Sequence, residues 1–296
     1  MLVHNELLSQ YTSWRVGGPA KNVFIPESID ELVNFLKSLP ASEKILWLGL
    51  GSNVLLRDGG FNGTVIVTQK SFLSQIQNLN NNLVKIDAGA ACGTVARTCA
   101  RLGLTGIEFL AGVPGTMGGA LAMNAGAHGG ETWNYIEKVD VITRHGEIKT
   151  RPKSDYKISY RHVVLAENTE YPIPNEWFIA GYVKLIPGDK NTSLQKIKDL
   201  LEHRSNTQPI NLPNCGSVFR NPPNNFAAKL IESCNLKGFK IGDAEVSTKH
   251  ANFIINNGHA TATDIEQLID HIHREVKKNH GIDLIREVHI IGDKTS

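Results

Sequence analysis

The chain has 296 residues, 41% of them hydrophobic and 20% charged, and a formal net charge of +2 at neutral pH. This apolar content suffices for one to three domains with buried cores, whereas the charge is too small for a typical nucleic-acid-binding surface. No stretch is long and apolar enough to span a membrane, and the first ten residues do not resemble a secretory signal. The four cysteines form neither a CxxC pair nor a metal-binding spacing with histidine. We therefore expect free thiols, no metal site and a cytoplasmic protein.

Residues 1–75 are predicted to form a first, small α/β unit. Ser28 and Glu31 make a capping box at the start of a helix. A strand over 44–48 is followed at once by the sequence GLGSN at 49–53. This loop does not match the GxGxxG pattern, so a Rossmann fold is not expected. Its backbone N–H groups could bind a phosphate, and a plain β-turn is the alternative interpretation.

Residues 76–204 are predicted to form a second, sheet-rich unit, with a hairpin over 139–150 turning at Arg144-His145-Gly146. Its most unusual stretch runs from Phe109 to Gly130 and has seven glycines but no Asp, Glu, Lys or Arg. Glycine allows a backbone to approach another group closely or to adopt a positive φ. The stretch therefore indicates a site for an anionic or planar ligand, and a buried structural turn is the alternative.

Residues 205–296 are predicted to form a third, α+β unit that ends in a strand over 284–291. Alternation along that strand would place Glu287 and His289 on one face, although a charge on an edge strand can also simply prevent aggregation. Thr263 and Glu266 predict the start of a long helix. Ser217 lies outside any GxSxG elbow, so its residue type alone indicates a turn or cap rather than a nucleophile.

Together, these segments resemble the flavin-dependent UDP-N-acetylenolpyruvoylglucosamine reductases, the MurB family. The resemblance runs nearly from end to end through the blocks YTSWRVGGPA, GLGSNVLLRDGGFNG, EFLAGVPGTMGGALAMNAGAHGGE, YRH, GSVFRNP, AAKLIE, LKGFKIGDAEVSTKHANFIIN and REVHIIG. It implies an α+β protein with a two-subdomain, non-Rossmann FAD-binding fold of the PCMH type and a C-terminal α+β substrate-binding domain. The short stretch between Arg161 and Trp177 is similar to the form of the family that lacks an extra loop over the substrate.

The resemblance also implies a reaction. NADPH would reduce FAD and leave, and flavin N5 would deliver hydride to the enolpyruvyl ether of UDP-N-acetylglucosamine-enolpyruvate. The product, UDP-N-acetylmuramate, is a peptidoglycan precursor. We accordingly expect non-covalent FAD, NADPH as co-substrate and a UDP-sugar as the small-molecule substrate. We expect a monomer that binds neither nucleic acid nor membrane.

Roles for individual residues follow from their positions in the matching blocks. Ser217 would donate the proton, and Arg161 and Glu287 would hold the substrate carboxylate. Asn221 and Arg220 would contact the substrate near Ser217. The residues that would bind FAD are Gly49, Gly51, Ser52, Asn53, Pro114, Gly115, Gly118, Gly119, Asn124 and Gly126.

Three positions depart from the pattern of the family, and none is a predicted catalytic residue. Arg220 stands where Lys is common, Cys215 where a small residue without sulfur is usual, and Asp243 where Gly is frequent. These departures put fine substrate contacts in doubt rather than the activity.

Two alternatives stay open on the sequence. One is a flavin oxidase of the same broad fold, and such oxidases often hold their flavin covalently. The other is a non-catalytic module that binds a flavin or a sugar nucleotide. The set of Arg161, Ser217 and Glu287 argues against a module, because binding alone needs no proton donor.

Overall fold

The computed structural model describes residues 1–167 and 175–295. The backbone divides into two compact units, each assembled from several chain segments. Unit 1 consists of Met1–Leu2, Phe24–Leu50 and Val65–Glu202, and unit 2 consists of Val3–Val23, Gly51–Thr64 and the residues from His203 onward. The chain therefore passes from one unit to the other five times, at 2/3, 23/24, 50/51, 64/65 and 202/203. The predicted domain boundaries at 75 and 204 are defined by which ligand each domain binds. The backbone division does not test ligand binding, so these boundaries stay a prediction.

The α-helices of the described residues are α1 (Ile29–Ser38), α2 (Cys92–Arg101), α3 (Met117–Met123), α4 (Lys190–Thr207), α5 (Ala227–Ser233) and α6 (Ala262–His280). The strands are β1 (Leu2–Leu7), β2 (Pro19–Phe24), β3 (Ile45–Leu48), β4 (Val54–Leu56), β5 (Phe61–Val67), β6 (Ile76–Asn78), β7 (Leu83–Asp87), β8 (Leu104–Thr105), β9 (Gly126–Ala127), β10 (Gly130–Glu131), β11 (Ile136–Thr143), β12 (Ile148–Pro152), β13 (Tyr156–Ser159), β14 (His162–Leu165), β15 (Glu176–Lys184), β16 (Ile186–Pro187), β17 (Lys240–Ile241), β18 (Ala244–Val246), β19 (Ile254–Asn256) and β20 (His289–Ile291). None of these helices is apolar enough over a sufficient length to cross a membrane.

Unit 1 is built on an antiparallel five-stranded sheet with the order β12-β11-β15-β7-β6. The predicted hairpin over 139–150 is confirmed, because β11 and β12 pair from Lys138 to Ile142. Gly181 lies in β15 under α3, and a Cβ atom at this position would meet Leu121 Cδ1 at 3.3 Å and Met117 Cε at 3.4 Å. A glycine in this strand thus lets the helix approach the sheet closely, which fixes the position of the glycine-rich stretch.

Helix α1 packs on a second apolar cluster of unit 1, which includes Leu32, Leu36 and Ile179. The predicted cap is confirmed in part, since the Ser28 hydroxyl accepts from the backbone N–H of Glu31 at 3.1 Å. The Glu31 carboxylate, however, accepts from the backbone N–H of Glu27 at 2.6 Å. Only half of the predicted capping box therefore forms.

Unit 2 encloses its own apolar core between α5, α6 and the three-stranded sheet β17-β18-β19. Trp14 is fully buried in this core and donates its indole N–H to the carbonyl of Ile254 at 2.8 Å. Strand β20 pairs in parallel with β4, which places His289 beside Val54. Segments far apart in sequence are thus needed to complete unit 2.

Two predictions about unit 2 are wrong. Helix α6 begins after Thr261, not at Thr263, because Thr261 and Asp264 form the capping box and the Glu266 carboxylate instead binds Arg57 at 2.8 Å. The closing strand spans only His289–Ile291, so Glu287 lies ahead of it. The backbone N–H of Glu287 donates to the carbonyl of Val218, and the ladder with β4 begins at His289.

Candidate active site

At two positions of the loop at 49–53, neighbouring atoms stand where a side chain would be. A Cβ atom on Gly49 would lie 2.4 Å from Thr116 Oγ1 within unit 1. Gly51 has a φ of +65°, and within unit 2 its Cβ atom would lie 2.1 Å from the carbonyl oxygen of Tyr11. Both positions therefore require glycine.

The same loop has the donors that an anionic group needs. Within residues 1–167 and 175–295, the backbone N–H groups of Gly49, Leu50 and Gly51 donate to no protein acceptor. The Thr116 hydroxyl is buried and likewise has no hydrogen-bond partner in that part of the chain. Consecutive N–H groups of this kind form an anion-binding concavity. The loop thus has donors of the kind that the pyrophosphate of FAD needs, and this contact stays a prediction.

The glycines of the 109–130 stretch serve two different purposes. A Cβ atom on Gly118 would lie 2.9 Å from Ala88 Cβ, and one on Gly126 would lie 2.3 Å from the carbonyl oxygen of Gly130. These two glycines allow parts of unit 1 to pack together. Gly119 is exposed and would meet nothing within 4 Å. Gly119, like the equally open and exposed Gly129, therefore has space for a ligand beside it.

Asn124 ends helix α3 in the left-handed region, with a φ of +44°, and is completely buried. Its amide nitrogen donates to Glu131 Oε2 at 2.9 Å and to the carbonyl of Ser159 at 3.2 Å. Its amide oxygen accepts from the backbone N–H of Trp133 at 3.1 Å. The side chain predicted to line the flavin thus binds other parts of unit 1.

Arg161 lies at the tip of the hairpin formed by β13 and β14, with a φ of +55°. One guanidinium nitrogen donates to the carbonyl of Gly126 at 3.0 Å, and the other lies 3.5 Å from the carbonyl oxygen of Asn124. The structure therefore brings three predicted site residues together in unit 1.

In unit 2, the segments that carry Ser217 and Glu287 lie side by side. The backbone N–H of Glu287 donates to the carbonyl of Val218 at 2.8 Å, and Phe219 forms an antiparallel bridge with Arg286. Ser217 and Glu287 are both half-buried. The Ser217 hydroxyl makes no hydrogen bond to any residue that the structure describes.

Asn53 was predicted to bind the pyrophosphate, and the structure gives it a further role. Its amide donates to the carbonyl of Glu287 at 3.0 Å, and its own carbonyl accepts from the N–H of His289 at 3.1 Å. It therefore fixes the backbone on both sides of Val288. The pyrophosphate contact stays a prediction.

The sequence analysis missed Asn252, which is 4% exposed. Its side chain forms two hydrogen bonds to the backbone of Phe219, at 2.8 and 3.0 Å, and its carbonyl accepts from the N–H of Val218. An Asn inside the apolar run ANFII was the signal that could have identified it, because buried amides are almost always hydrogen-bonded.

The other predicted residues of unit 2 are held locally. The Asn221 side chain is exposed and accepts from the N–H of Ala227 at 3.1 Å. Arg220 donates its backbone N–H to the carbonyl of Ile285 at 2.9 Å. Burial and the nearby positive charge of Arg220 lower the pKa of His289. Burial raises the pKa of the Cys215 thiol to about 12, so this departure from the family pattern is chemically inert.

All four cysteines are free, as predicted. No group of three His, Cys, Asp or Glu residues in the described part of the chain could hold a metal ion. The interpretation of a short loop between Arg161 and Trp177 depends on residues 168–174, which lie outside the described residues.

Comparison with known proteins identifies the two halves of this arrangement. Residues 20–151 match the FAD binding domain model, and residues 208–291 match the C-terminal domain model of UDP-N-acetylenolpyruvoylglucosamine reductase. The α+β class is confirmed, with a non-Rossmann FAD-binding fold of the PCMH type and a C-terminal α+β domain.

Relatives with a curated name match over the whole chain. The UDP-N-acetylenolpyruvoylglucosamine reductase of Legionella pneumophila (strain Corby) is 56% identical over 293 residues, covering 99% of this chain and 92% of the relative. That of Alkalilimnicola ehrlichii is 49% identical, covering 100% of this chain and 96% of the relative. The crystal structure of MurB from Thermus caldophilus matches with a TM-score of 0.80 and 29% identity, covering 99% of this chain and 98% of that one. The chain belongs to the UDP-N-acetylenolpyruvoylglucosamine reductase (MurB) family.

Proposed function

We propose that this protein is the FAD-dependent enzyme that reduces the enolpyruvyl ether of UDP-N-acetylglucosamine-enolpyruvate to UDP-N-acetylmuramate, with NADPH as reductant. This step belongs to the synthesis of peptidoglycan precursors. Within this family, the observation that carries the proposal is the half-buried Ser217 hydroxyl, which no described protein group binds. The segment that carries Ser217 is hydrogen-bonded to the segment that carries Glu287, through the carbonyl of Val218 and the N–H of Glu287.

FAD, when bound, accepts a hydride from NADPH and then supplies it to the enolpyruvyl double bond of the substrate. The protein positions the cofactor, through the N–H groups of Gly49, Leu50 and Gly51 at its pyrophosphate. The open backbone at Gly119 supports a position for the isoalloxazine ring beside it. We propose that FAD is bound non-covalently.

Ser217 donates a proton to the substrate carbon next to the carboxylate. A hydroxyl is a weak acid, but the carbon that it protonates is strongly basic at that stage. Positioned proton transfer contributes roughly 10²–10⁴ in rate. The backbone bonds around Val218 and Asn252 support this role, because they fix the segment without using the Ser217 side chain.

Arg161 and Glu287 stabilise the charge that develops on the substrate carboxylate. The planar guanidinium of Arg161 suits this role, because it can form two parallel hydrogen bonds to a carboxylate. Glu287 contributes as a protonated donor or as a charge offset by Arg161. Its half-buried position supports this assignment. Arg220 and Asn221 contact the UDP-sugar near Ser217, and the enzyme acts as a cytoplasmic monomer without nucleic acid or membrane.

The function is tested with the purified protein and its two substrates. We expect a yellow protein whose visible flavin absorbance is bleached by NADPH under anaerobic conditions. Addition of UDP-N-acetylglucosamine-enolpyruvate should then restore the absorbance and yield one UDP-N-acetylmuramate per flavin. Reoxidation by oxygen but not by the enolpyruvyl substrate would contradict the proposal. Flavin that stays with the protein on acid precipitation would contradict non-covalent binding and favour an oxidase.

A further inference from the structure

The guanidinium of Arg161, the candidate carboxylate-binding residue of unit 1, contacts two carbonyl groups of the same unit. It donates to Gly126 O at 3.0 Å and lies 3.5 Å from Asn124 O. Its ring contact with Tyr160, at 5.0 Å, is local to the hairpin. The direction of the guanidinium therefore depends on where the backbone at 124–126 is held.

That backbone is fixed by the Asn124 side chain. The amide binds Ser159, the last residue of β13 before the turn that carries Arg161, and Trp133 beyond β10. One residue thus connects the hairpin that carries Arg161 to the carbonyl groups that accept from it. Because Asn124 is completely buried and its φ is +44°, these bonds also stabilise a backbone conformation that few residues other than glycine adopt.

Glu131 determines which way the amide of Asn124 faces. Its carboxylate can only accept, and it accepts from the amide nitrogen at 2.9 Å. This leaves the amide oxygen for the N–H of Trp133. Glu131 also pairs with Gly126 across β9 and β10, so Glu131 contacts both residues whose carbonyl groups accept from Arg161.

We propose that Asn124, oriented by Glu131, is a positioning residue that sets where the Arg161 guanidinium meets the substrate carboxylate. This assigns to Asn124 a role through Arg161 instead of a side-chain contact with the flavin. The inference rests on the proposed function, because the carboxylate belongs to the proposed substrate. Misplacement of a binding group by about 1 Å can cost roughly 100-fold in rate.

Glu131→Ala tests the inference by stopped-flow measurement of the two half-reactions. Flavin reduction by NADPH should keep its wild-type rate. Reoxidation by the enolpyruvyl substrate should slow roughly 10- to 100-fold, with a raised KM. Glu131→Gln, which keeps an acceptor oxygen, should restore most of the rate. Glu137→Ala removes an exposed glutamate from β11 of the same unit and should change neither half-reaction.

The decisive measurement is a double-mutant cycle with Arg161→Ala. If Glu131 acts through Arg161, Glu131→Ala should slow reoxidation no further in the Arg161→Ala background. Equal slowing in both backgrounds, or an equal loss in the NADPH half-reaction, would overturn the inference.

If Glu131→Ala folds poorly, Asn124→Gly provides a second test of the inference. Asn124→Gly tolerates the positive φ and removes the same amide, so it should reproduce the selective loss in reoxidation. A visible flavin spectrum altered by Asn124→Gly, with unchanged reoxidation, would show a flavin contact and contradict the proposal. If the wild-type enzyme itself is not reoxidised by the enolpyruvyl substrate, the proposed function has failed, which is a separate result.

Discussion

Units 1 and 2 hold their candidate catalytic residues by different kinds of hydrogen bond. In unit 1, the acting group itself, the guanidinium of Arg161, binds to the carbonyls of Gly126 and Asn124. In unit 2, the bonds described around Ser217 and Glu287 reach the backbone of the segments that carry them, partly from the side chains of Asn53 and Asn252, and the Ser217 hydroxyl takes no part in them.

The difference determines what a substitution tests. A side chain whose segment is held by its backbone can be removed while the segment stays in place. A side chain that is itself held depends on every neighbour that fixes its acceptors. Substitutions of catalytic side chains in unit 2 should therefore change the reaction rate with little change in the surrounding structure. Substitutions around Arg161 should change both.

Ser217→Ala should give the largest effect and is the sharpest test of this view of unit 2. We expect NADPH to bleach the flavin at the wild-type rate and reoxidation by the enolpyruvyl substrate to slow roughly 10²- to 10⁴-fold. Stopped-flow absorbance measures both steps. Ser233→Ala, at an exposed serine of the same unit, is the matched control. Reoxidation near the wild-type rate would show that Ser217 is not the proton donor.

Asn252→Ala should remove the side-chain hydrogen bonds that hold the backbone at Phe219 in unit 2, and it removes no predicted catalytic side chain. It leaves the N–H and carbonyl of Phe219 without their side-chain partner in a buried setting. We expect a loss of roughly 1–3 kcal/mol in the free energy of unfolding, measured with urea. Asn257→Ala, at an exposed asparagine, should change that free energy by no more than about 0.5 kcal/mol. Equal stabilities of the two variants would contradict this role for Asn252.

Gly49→Ala tests whether the cofactor loop depends on close packing in unit 1. The new methyl group would meet Thr116 Oγ1, so the loop must move. We expect FAD affinity to fall roughly tenfold, corresponding to about 1.4 kcal/mol, as measured by titration of the apoprotein. Combination with Thr116→Ala should recover most of this loss, because the hydroxyl that causes the collision is absent.

Gly93→Ala provides the control for that substitution. It lies in α2, where the nearest atoms to a new Cβ are those of the Arg97 side chain at 3.5 Å. Its FAD affinity should be unchanged. A similar loss in Gly49→Ala and Gly93→Ala would contradict the packing argument.

His250 should give the smallest effect, through the pH dependence of stability. Burial and the positive charge of Lys237 lower the pKa of its imidazole, whereas Glu232 acts in the opposite direction. As the pH falls through about 6.5, the unfolded chain therefore takes up a proton that the folded protein resists. The free energy of unfolding should decline from pH 7 to pH 5. The decline should be shallower in His250→Gln, and an unchanged slope would contradict the assignment.

Local signals in the sequence predicted local structure well. The turn at Arg144-His145-Gly146 and the cap at Ser28 each involve residues within a few positions, and both are present. At α6 two overlapping capping patterns competed, and the choice depended on Arg57, which binds Glu266 from more than 200 positions away. No pattern within a short window carries that information.

The candidate site also has a part that could be predicted from the sequence and a part that depends on contacts between distant residues. The family resemblance supplied Arg161, Ser217 and Glu287 as candidates, but not the residues that hold them. Asn252, Glu131 and the second role of Asn53 arise from contacts in the folded chain. Asn252 and Asn53 bind backbone atoms, and Glu131 binds the side-chain amide of Asn124. Because a backbone partner can belong to any residue type, the contacts of the two asparagines leave no pattern in the sequence.

The repeated passage of the chain between the units bears on synthesis at the ribosome. Strand β20 pairs with β4, so the strand at 54–56 cannot form this pairing until residues 289–291 have been synthesised. Trp14 likewise waits for the carbonyl of Ile254. Unit 2 therefore cannot be completed before residues 289–291 have been synthesised, and the apolar side chains around Trp14 stay exposed on the nascent polypeptide until then. A fragment cut to residues 208–291, the range that matches the C-terminal domain model, would lack both N-terminal segments and should aggregate when expressed alone.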